Sequence, residues 1–262
     1  MKHLGVFMRN RRVWPLVFIL LVLCGGIGFP FDASAATGRW VTQGKNQFYY
    51  VNEVPVSGWQ KIAKKWYYFD PSTHVMQKNK IVGNGKSGYY YVDETGVRIT
   101  DPVVKLAVKC VRKNAKKAKT PAKKLKACYK YFVNKCRYRH YSNSESISDM
   151  PSFAKSMFKK RYGDCYRGAA AITYCAKVLG FETRMGMGGV YSYEAAHGWN
   201  EVKTKKGWAI TDISRGRASG ETLCMKTYKK YPYHLRIDKY YRLSIKNGKV
   251  KWTKKRAGKE IH

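Results

Sequence analysis

The order of the local signals predicts an α+β chain, with helices first and strands afterwards, behind a small module of β-hairpins. Three observations carry this. Asp101-Pro102 and Thr120-Pro121 each join an N-cap residue to a proline at the first helical position. Beyond residue 183, β-branched and aromatic runs replace the helical pattern and end in a pair of strands across Asn247-Gly248. Between 37 and 100, aromatic clusters recur at intervals of about twenty residues. These are Trp40 with Phe48-Tyr49-Tyr50, then Trp59 with Trp66-Tyr67-Tyr68-Phe69, then Tyr89-Tyr90-Tyr91.

Each repeat unit sets its aromatic run between Gly, Asn and Asp turns, which predicts short hairpins that gain stability by stacking on one another. The first helix is expected over 102–119, the second over 121–136 and a short third over 152–160. A fourth, over 165–179, has an apolar face of Ala169, Ile172, Ala176 and Leu179, and Gly180 stops it. Strands are expected over 183–188, 197–203 and 208–212, with a final hairpin of 240–245 and 249–252. The expected organisation is a signal peptide (1–35), a repeat module (37–100) and an α+β domain (101–262).

The 262 residues include 52 Lys and Arg against 16 Asp and Glu, a formal charge of +36. With 44% hydrophobic and 15% aromatic residues, the chain is too apolar for a disordered basic tail. Such a charge favours polyanionic partners. Lys2, Arg9, Arg11 and Arg12 precede an apolar run over 13–28 and the small-residue site Ala33-Ser34-Ala35, the layout of a secretory signal peptide. The run is too short and too broken by Pro15 and glycines to span a membrane. Leu23 stands where a lipoprotein signal ending at Cys24 would need a small residue. Cleavage leaves a charge of +33 and no transmembrane segment. An exported chain is a poor candidate for a dedicated nucleic-acid binder, and its basic surface suits an anionic envelope.

Six cysteines remain after cleavage, with no CxxC pair. A zinc ribbon and a thioredoxin-type site are therefore disfavoured, and neither a metal centre nor a cofactor is expected. If one cysteine is a nucleophile, the other five cannot all pair.

Gly58-Trp59, Trp66 to Phe69 and Met76 resemble the cell-wall-binding repeats of the choline- and glucan-binding type. His74 or Val75 stands where that pattern has a glycine, and the third unit has Tyr where Trp is usual. The resemblance implies binding of a cell-wall polymer through teichoic acid, choline or glucan groups. Exposed Trp and Tyr rings cage quaternary ammonium groups or stack on sugars. Most of the aromatics are expected in the hairpin core, with Trp59, Trp66 and Tyr68 facing a ligand.

Cys165 is expected in the first turn of the fourth helix, where the dipole and the N–H groups favour a thiolate. Such a nucleophile needs a base, and the base needs an orienting acceptor. A tight hairpin between the strands of His197 and Asp212 would set those two side by side. Tyr162-Gly163-Asp164-Cys165, Leu179 to Arg184, Ala196 to Val202 and Trp208 to Ser214, in that order over roughly 120–215, resemble the transglutaminase-like superfamily of papain-like thiol enzymes. Gly198 replaces the more usual alanine, and Ile213 a frequent proline. The resemblance implies a papain-like, transglutaminase-like fold, with Cys165 as nucleophile, His197 as general base and acid, and Asp212 as the group that orients His197. Tyr138 is expected as an additional oxyanion donor. Trp199 and Trp208 are expected to wall the site, and Cys175 to pack. The lysine clusters are expected to be solvated faces.

Together these features predict a secreted thiol enzyme associated with the cell wall of a Gram-positive type of surface. It would act on amide or peptide bonds of a peptide or protein substrate through a thioacyl intermediate, most simply as a peptidase or amidase. A protein-crosslinking transglutaminase and a non-catalytic adhesin or scaffold remain as alternatives.

Overall fold

A computed structural model describes residues 38–141, 146–190 and 195–261. The signal peptide expected over 1–35 lies outside the described residues. Among the described residues, no helix is long and apolar enough to cross a membrane.

Three antiparallel hairpins come first. The strands β1 (Gly38–Gln43), β2 (Asn46–Val51) and β3 (Val54–Pro55) form one small sheet. The pair β4 (Gly58–Ile62) and β5 (Lys65–Phe69) is the second hairpin, and β6 (Lys80–Asn84) with β7 (Gly88–Val92) the third. After β5 the chain reverses through Asp70, whose carboxylate accepts the N–H groups of Ser72 and Thr73. His74 takes φ +57° there, the left-handed conformation that glycine adopts most easily. Its ring nitrogen Nδ1 lies 3.2 Å from the Val56 carbonyl, which holds the turn against the preceding strand.

The third hairpin is fastened to the helices and strands beyond it. Asp93 is fully buried and accepts the N–H groups of Thr95 and Val97 on one oxygen. Its other oxygen accepts the N–H of Gly248 at 2.8 Å. Asn79 donates to the Gly180 carbonyl while accepting from the Tyr91 hydroxyl.

The helices obey their caps. In α1 (Pro102–Asn114) the Asp101 carboxylate takes the N–H groups of Val103 and Val104. In α2 (Pro121–Lys135) the Thr120 hydroxyl takes that of Lys123. The first helix stops five residues before the expected end, because Asn114 turns its amide back onto the Cys110 carbonyl and competes with continuation. Next come β8 (Arg137–Tyr138), α3 (Met150–Lys160), β9 (Tyr162–Gly163) and α4 (Cys165–Val178). The α4 helix is buried on nearly every side, more than its expected single apolar face, and Gly180 ends it at φ +90°. It packs between α1, α2 and α3 and against β11.

The remaining strands make a six-stranded antiparallel sheet in the order β13-β12-β11-β10-β14-β15. Its strands are β10 (Thr183–Val190), β11 (Ala195–Thr204), β12 (Gly207–Thr211), β13 (Lys226–Thr227), β14 (Leu235–Lys246) and β15 (Lys249–Ile261). A short helix that the sequence pattern does not predict, α5 (Ile213–Ser219), lies between β12 and β13. One core joins the helices to one sheet face. A smaller one around Trp199, Ile210, Leu223, Leu235 and Ile237 covers the other. The predicted α+β class holds, and the start of α4, strand β11 and the end of β12 position the site.

Candidate active site

The start of α4 is built to hold Cys165 still. Arg161, at φ +59°, turns the chain out of α3. The short parallel pairing of β9 with β8 then delivers it to Asp164. That carboxylate caps α4 by accepting the Arg167 N–H at 2.9 Å, and it pairs with the Arg167 guanidinium at 2.6 Å. Both side chains are buried, and Arg167 lies over the rings of Tyr141 and Phe153. The acidic residue beside the cysteine therefore carries its own counter-charge, so its opposition to an anionic sulfur is blunted.

His197, on β11, joins the other two predicted residues. Its Nε2 lies 2.6 Å from Oδ2 of Asp212, and Cys165 is near enough to the same imidazole to help raise its pKa. Because Nε2 is committed to Asp212, Nδ1 is the nitrogen left for sulfur. Cys165 is only 7% exposed and His197 5%. Trp199 stacks behind the imidazole at 6.0 Å. Asp212 lies one residue past the end of β12, where its Oδ1 caps α5 through the Arg215 N–H. Its own N–H is tied to the Leu223 carbonyl.

Burial opposes the imidazolium, but the charge of Asp212 and its hydrogen bond outweigh burial, and Cys165 adds to them. The net effect holds the His197 pKa up at about 10. Burial likewise opposes the Asp212 charge. His197, the Tyr231 hydroxyl and the Arg215 N–H overcome it and keep the carboxyl below its ordinary value.

Two supporting groups carry no signal that the sequence prediction used. Tyr231 donates to Asp212 Oδ2 at 2.6 Å, so this oxygen has two donors. Nothing in the spacing marks Tyr231 among 21 tyrosines. Glu201, fully buried, accepts from Arg184 at 2.6 Å, from Trp199 Nε1 at 2.9 Å and from the Tyr228 hydroxyl. Arg184 is itself held over the rings of Tyr240 and Trp208. The alternation of β11 sets 197, 199 and 201 on one face, and that signal was available to identify Glu201. This network locks Trp199, which backs His197.

Tyr138 is half exposed on β8, paired with Gly163 two residues before Cys165, and burial together with the Cys165 charge raises its pKa. The two departures from the family pattern have local reasons. A Cβ at Gly198 would stand 2.6 Å from the Tyr166 ring. Ile213 opens α5 and packs against Gly168 of α4.

In the repeats, Trp59 meets Tyr68 and Tyr90 edge to face. The Arg98 guanidinium sits 5.5 Å from Trp59, 4.9 Å from Trp66 and 4.8 Å from Tyr90. Of the three residues expected to face a ligand, Trp59 and Trp66 thus face a cation supplied by the chain itself. Cys110, Cys128 and Cys175 also come together, away from Cys165, as the one group of potential metal ligands among the described residues.

Residues 109–213, which include all three site residues, match the transglutaminase-like superfamily. Residues 56–101 match the choline-binding repeat. The two matches follow one another along the chain, the repeat first and the transglutaminase-like match after it. Among solved structures, a choline binding domain from Streptococcus pneumoniae is similar at 22% identity, covering 24% of this chain and 92% of that one, with a TM-score of 0.22. A putative cysteine protease from Cytophaga hutchinsonii is similar at 18% identity, covering 49% of this chain and 43% of that one, with a TM-score of 0.36. A TGase structure is similar at 18% identity, covering 42% and 31%, with a TM-score of 0.36. No curated protein matches the chain.

Proposed function

We propose that this chain is an envelope-associated thiol amidohydrolase, cutting amide or peptide bonds through Cys165, His197 and Asp212. The observation that carries the reading is His197 held between a buried carboxylate and a thiol at the head of a helix. With its proton retained up to about pH 10, the imidazole is cationic at neutral pH and stabilises an anionic sulfur beside it.

In this mechanism the Cys165 sulfur attacks the carbonyl carbon, forming a C–S bond and an oxyanion. The Cys165 N–H at the first turn of α4 and the Tyr138 hydroxyl are the proposed donors to that oxygen. As the oxyanion collapses, the C–N bond breaks and His197 gives its proton to the leaving amine. Water then attacks the thioester and passes its proton to His197, and the C–S bond breaks to release the carboxylate. Asp212, held by Tyr231 and Arg215, keeps Nδ1 directed at the sulfur throughout.

The repeats and the cationic surface are proposed to retain the enzyme on an anionic, choline-bearing wall polymer outside the cell. The match to the choline-binding repeat supports this, as does the +36 charge. A ligand at Trp59 and Trp66 would have to displace Arg98.

The test is release of new amino groups from wall-derived peptides by the wild type and by Cys165→Ala, with a labelled primary amine present. Amines released by the wild type alone support hydrolysis. Label built into the peptide would move the reading to transamidation, and identical behaviour of the two proteins would overturn an enzymatic role.

A further inference from the structure

Three cysteines that the proposed chemistry does not use meet in the helical core. Cys110 on α1, Cys128 on α2 and Cys175 on α4 are all buried, and their sulfur atoms lie within 4.8 Å of one another. For any three points no farther apart than this, some position lies within about 2.8 Å of all of them (4.8 Å divided by √3). Zinc–thiolate bonds are about 2.3 Å long, so rotamer adjustments of about half an ångström per sulfur would bring the three to bonding distance. We propose that Cys110, Cys128 and Cys175 form a trigonal thiolate site for a soft d10 cation of the zinc, cadmium or copper(I) class.

Several features fit that assignment. Soft thiolates select such cations over hard ones. The ligands come from three different helices, 18 and 47 residues apart in sequence, so a bound ion would tie α1 and α2 to α4. The Asn114 amide donates to the Cys110 sulfur at 3.5 Å, which holds that ligand in place on α1.

A cleft of about 540 Å³ reaches Cys110 from the surface, lined also by Lys109, Lys113, Lys159 and Arg161. A divalent ion replacing three thiol protons leaves a complex with one net negative charge, and these four cations line the cleft that leads to Cys110. The same rim repels a bare hydrated dication, so the ion would enter as a neutral or anionic complex with a small thiol. Ten residues of α4 separate Cys175 from Cys165, about 15 Å of helix. The site would therefore brace the helix that carries the nucleophile without touching the reaction. The absence of a CxxC pair, which argues against a metal centre in the sequence, does not bear on ligands gathered by helix packing.

The experiment uses the reduced full chain with Cys24→Ala and Cys165→Ala, leaving five thiols. It is titrated anaerobically with Cd²⁺ and a small thiol, following thiolate-to-cadmium charge transfer in the ultraviolet and metal retained after gel filtration against a chelator. The expected result is one Cd²⁺ per chain. Cys128→Ala and Cys175→Ala should each weaken retention roughly 100-fold or more, and Cys136→Ala, a buried cysteine outside the trio, should leave it unchanged. Absence of charge transfer in the parent chain, which needs no substitution within the trio, would overturn the proposal. Retention that survives both substitutions would do the same, as would a disulfide joining two of the three in protein isolated without reductant.

Discussion

Replacing Asp212 by Asn isolates what the carboxylate does for His197. Asparagine keeps the shape and caps a helix about as well as aspartate, and its one oxygen can still accept from the Arg215 N–H. What it removes is the charge and the second acceptor, since its NH2 then stands where Oδ2 now takes Tyr231 and His197. Raising the His197 pKa from its ordinary 6.5 to about 10 corresponds to about 5 kcal/mol of preference for the imidazolium. Without the carboxylate, burial is opposed mainly by Cys165, so in Asp212→Asn the imidazole should lose its proton well below 10. The tautomer that Asp212 enforces is also lost, and a change of that kind in a nucleophile–histidine–carboxylate system costs about 10⁴-fold in turnover. The assay follows the His197 ring by NMR across pH in the parent and in Asp212→Asn, alongside the rate of Cys165 alkylation at neutral pH. Titration should move down by more than one pH unit, and alkylation should slow at least tenfold. A His197 that still titrates near 10, or alkylation within threefold of the parent, would refute the reasoning.

Tyr231→Phe removes one of the two donors to Asp212 Oδ2. Losing a buried hydrogen bond to a charged group costs about 1–3 kcal/mol, so denaturant unfolding should show that loss together with slower alkylation of Cys165. Stability should also track the pair's titration. The contribution of His197 is complete below its unfolded value near 6.5 and fades as pH rises through about 10. That of Asp212, whose pKa is lowered, fades as pH falls below its ordinary 3.8. The stability gap between the parent and His197→Ala, measured by chemical denaturation, should therefore be greatest between about pH 4 and 6.5 and shrink toward pH 10. Gly198→Ala forces a Cβ to 2.6 Å from the Tyr166 ring and should destabilise by about 1–3 kcal/mol, read as a lower midpoint. Arg98→Ala empties the space between Trp59, Trp66 and Tyr90. Each cation–π contact there is worth about 0.5–2 kcal/mol, so tetramethylammonium should bind the variant at least about tenfold more tightly, read by tryptophan fluorescence. Equal binding to both proteins would show that Arg98 is no competitor.

Much of the scaffold is readable because its signals are local. The caps at Asp101 and Thr120 start the helices they announce, and Asn247-Gly248 makes the turn between the last two strands. The parts that differ depend on contacts that spacing does not encode. Strands β10, β14 and β15 run longer than their patterns because pairing across the sheet extends them past the apolar runs. Helix α5 has both of its ends marked, by Asp212 as N-cap and by Gly220 in the left-handed conformation. It stays hidden in the sequence because Asp212 also reads as the end of a strand. Cys165, His197 and Asp212 are legible because each stands in a distinctive run, and the structure brings them together. Tyr231 reaches Asp212 only through the fold. Arg98 is invisible for a related reason. Its aromatic neighbours belong to two different hairpins, and nothing in a basic residue past the third repeat announces that it turns back onto them.

The central claim is that His197 and Asp212 activate Cys165 and no other cysteine, and the most direct measurement is iodoacetamide labelling of the reduced protein across pH. The modified residues are located by mass spectrometry, with His197→Ala as the control. Rapid labelling confined to Cys165 below neutral pH, and slowed in His197→Ala, is the predicted result. Labelling of Cys165 no faster than that of Cys110 or Cys224, and unchanged by the loss of His197, would contradict the account and leave a wall-binding protein without this chemistry.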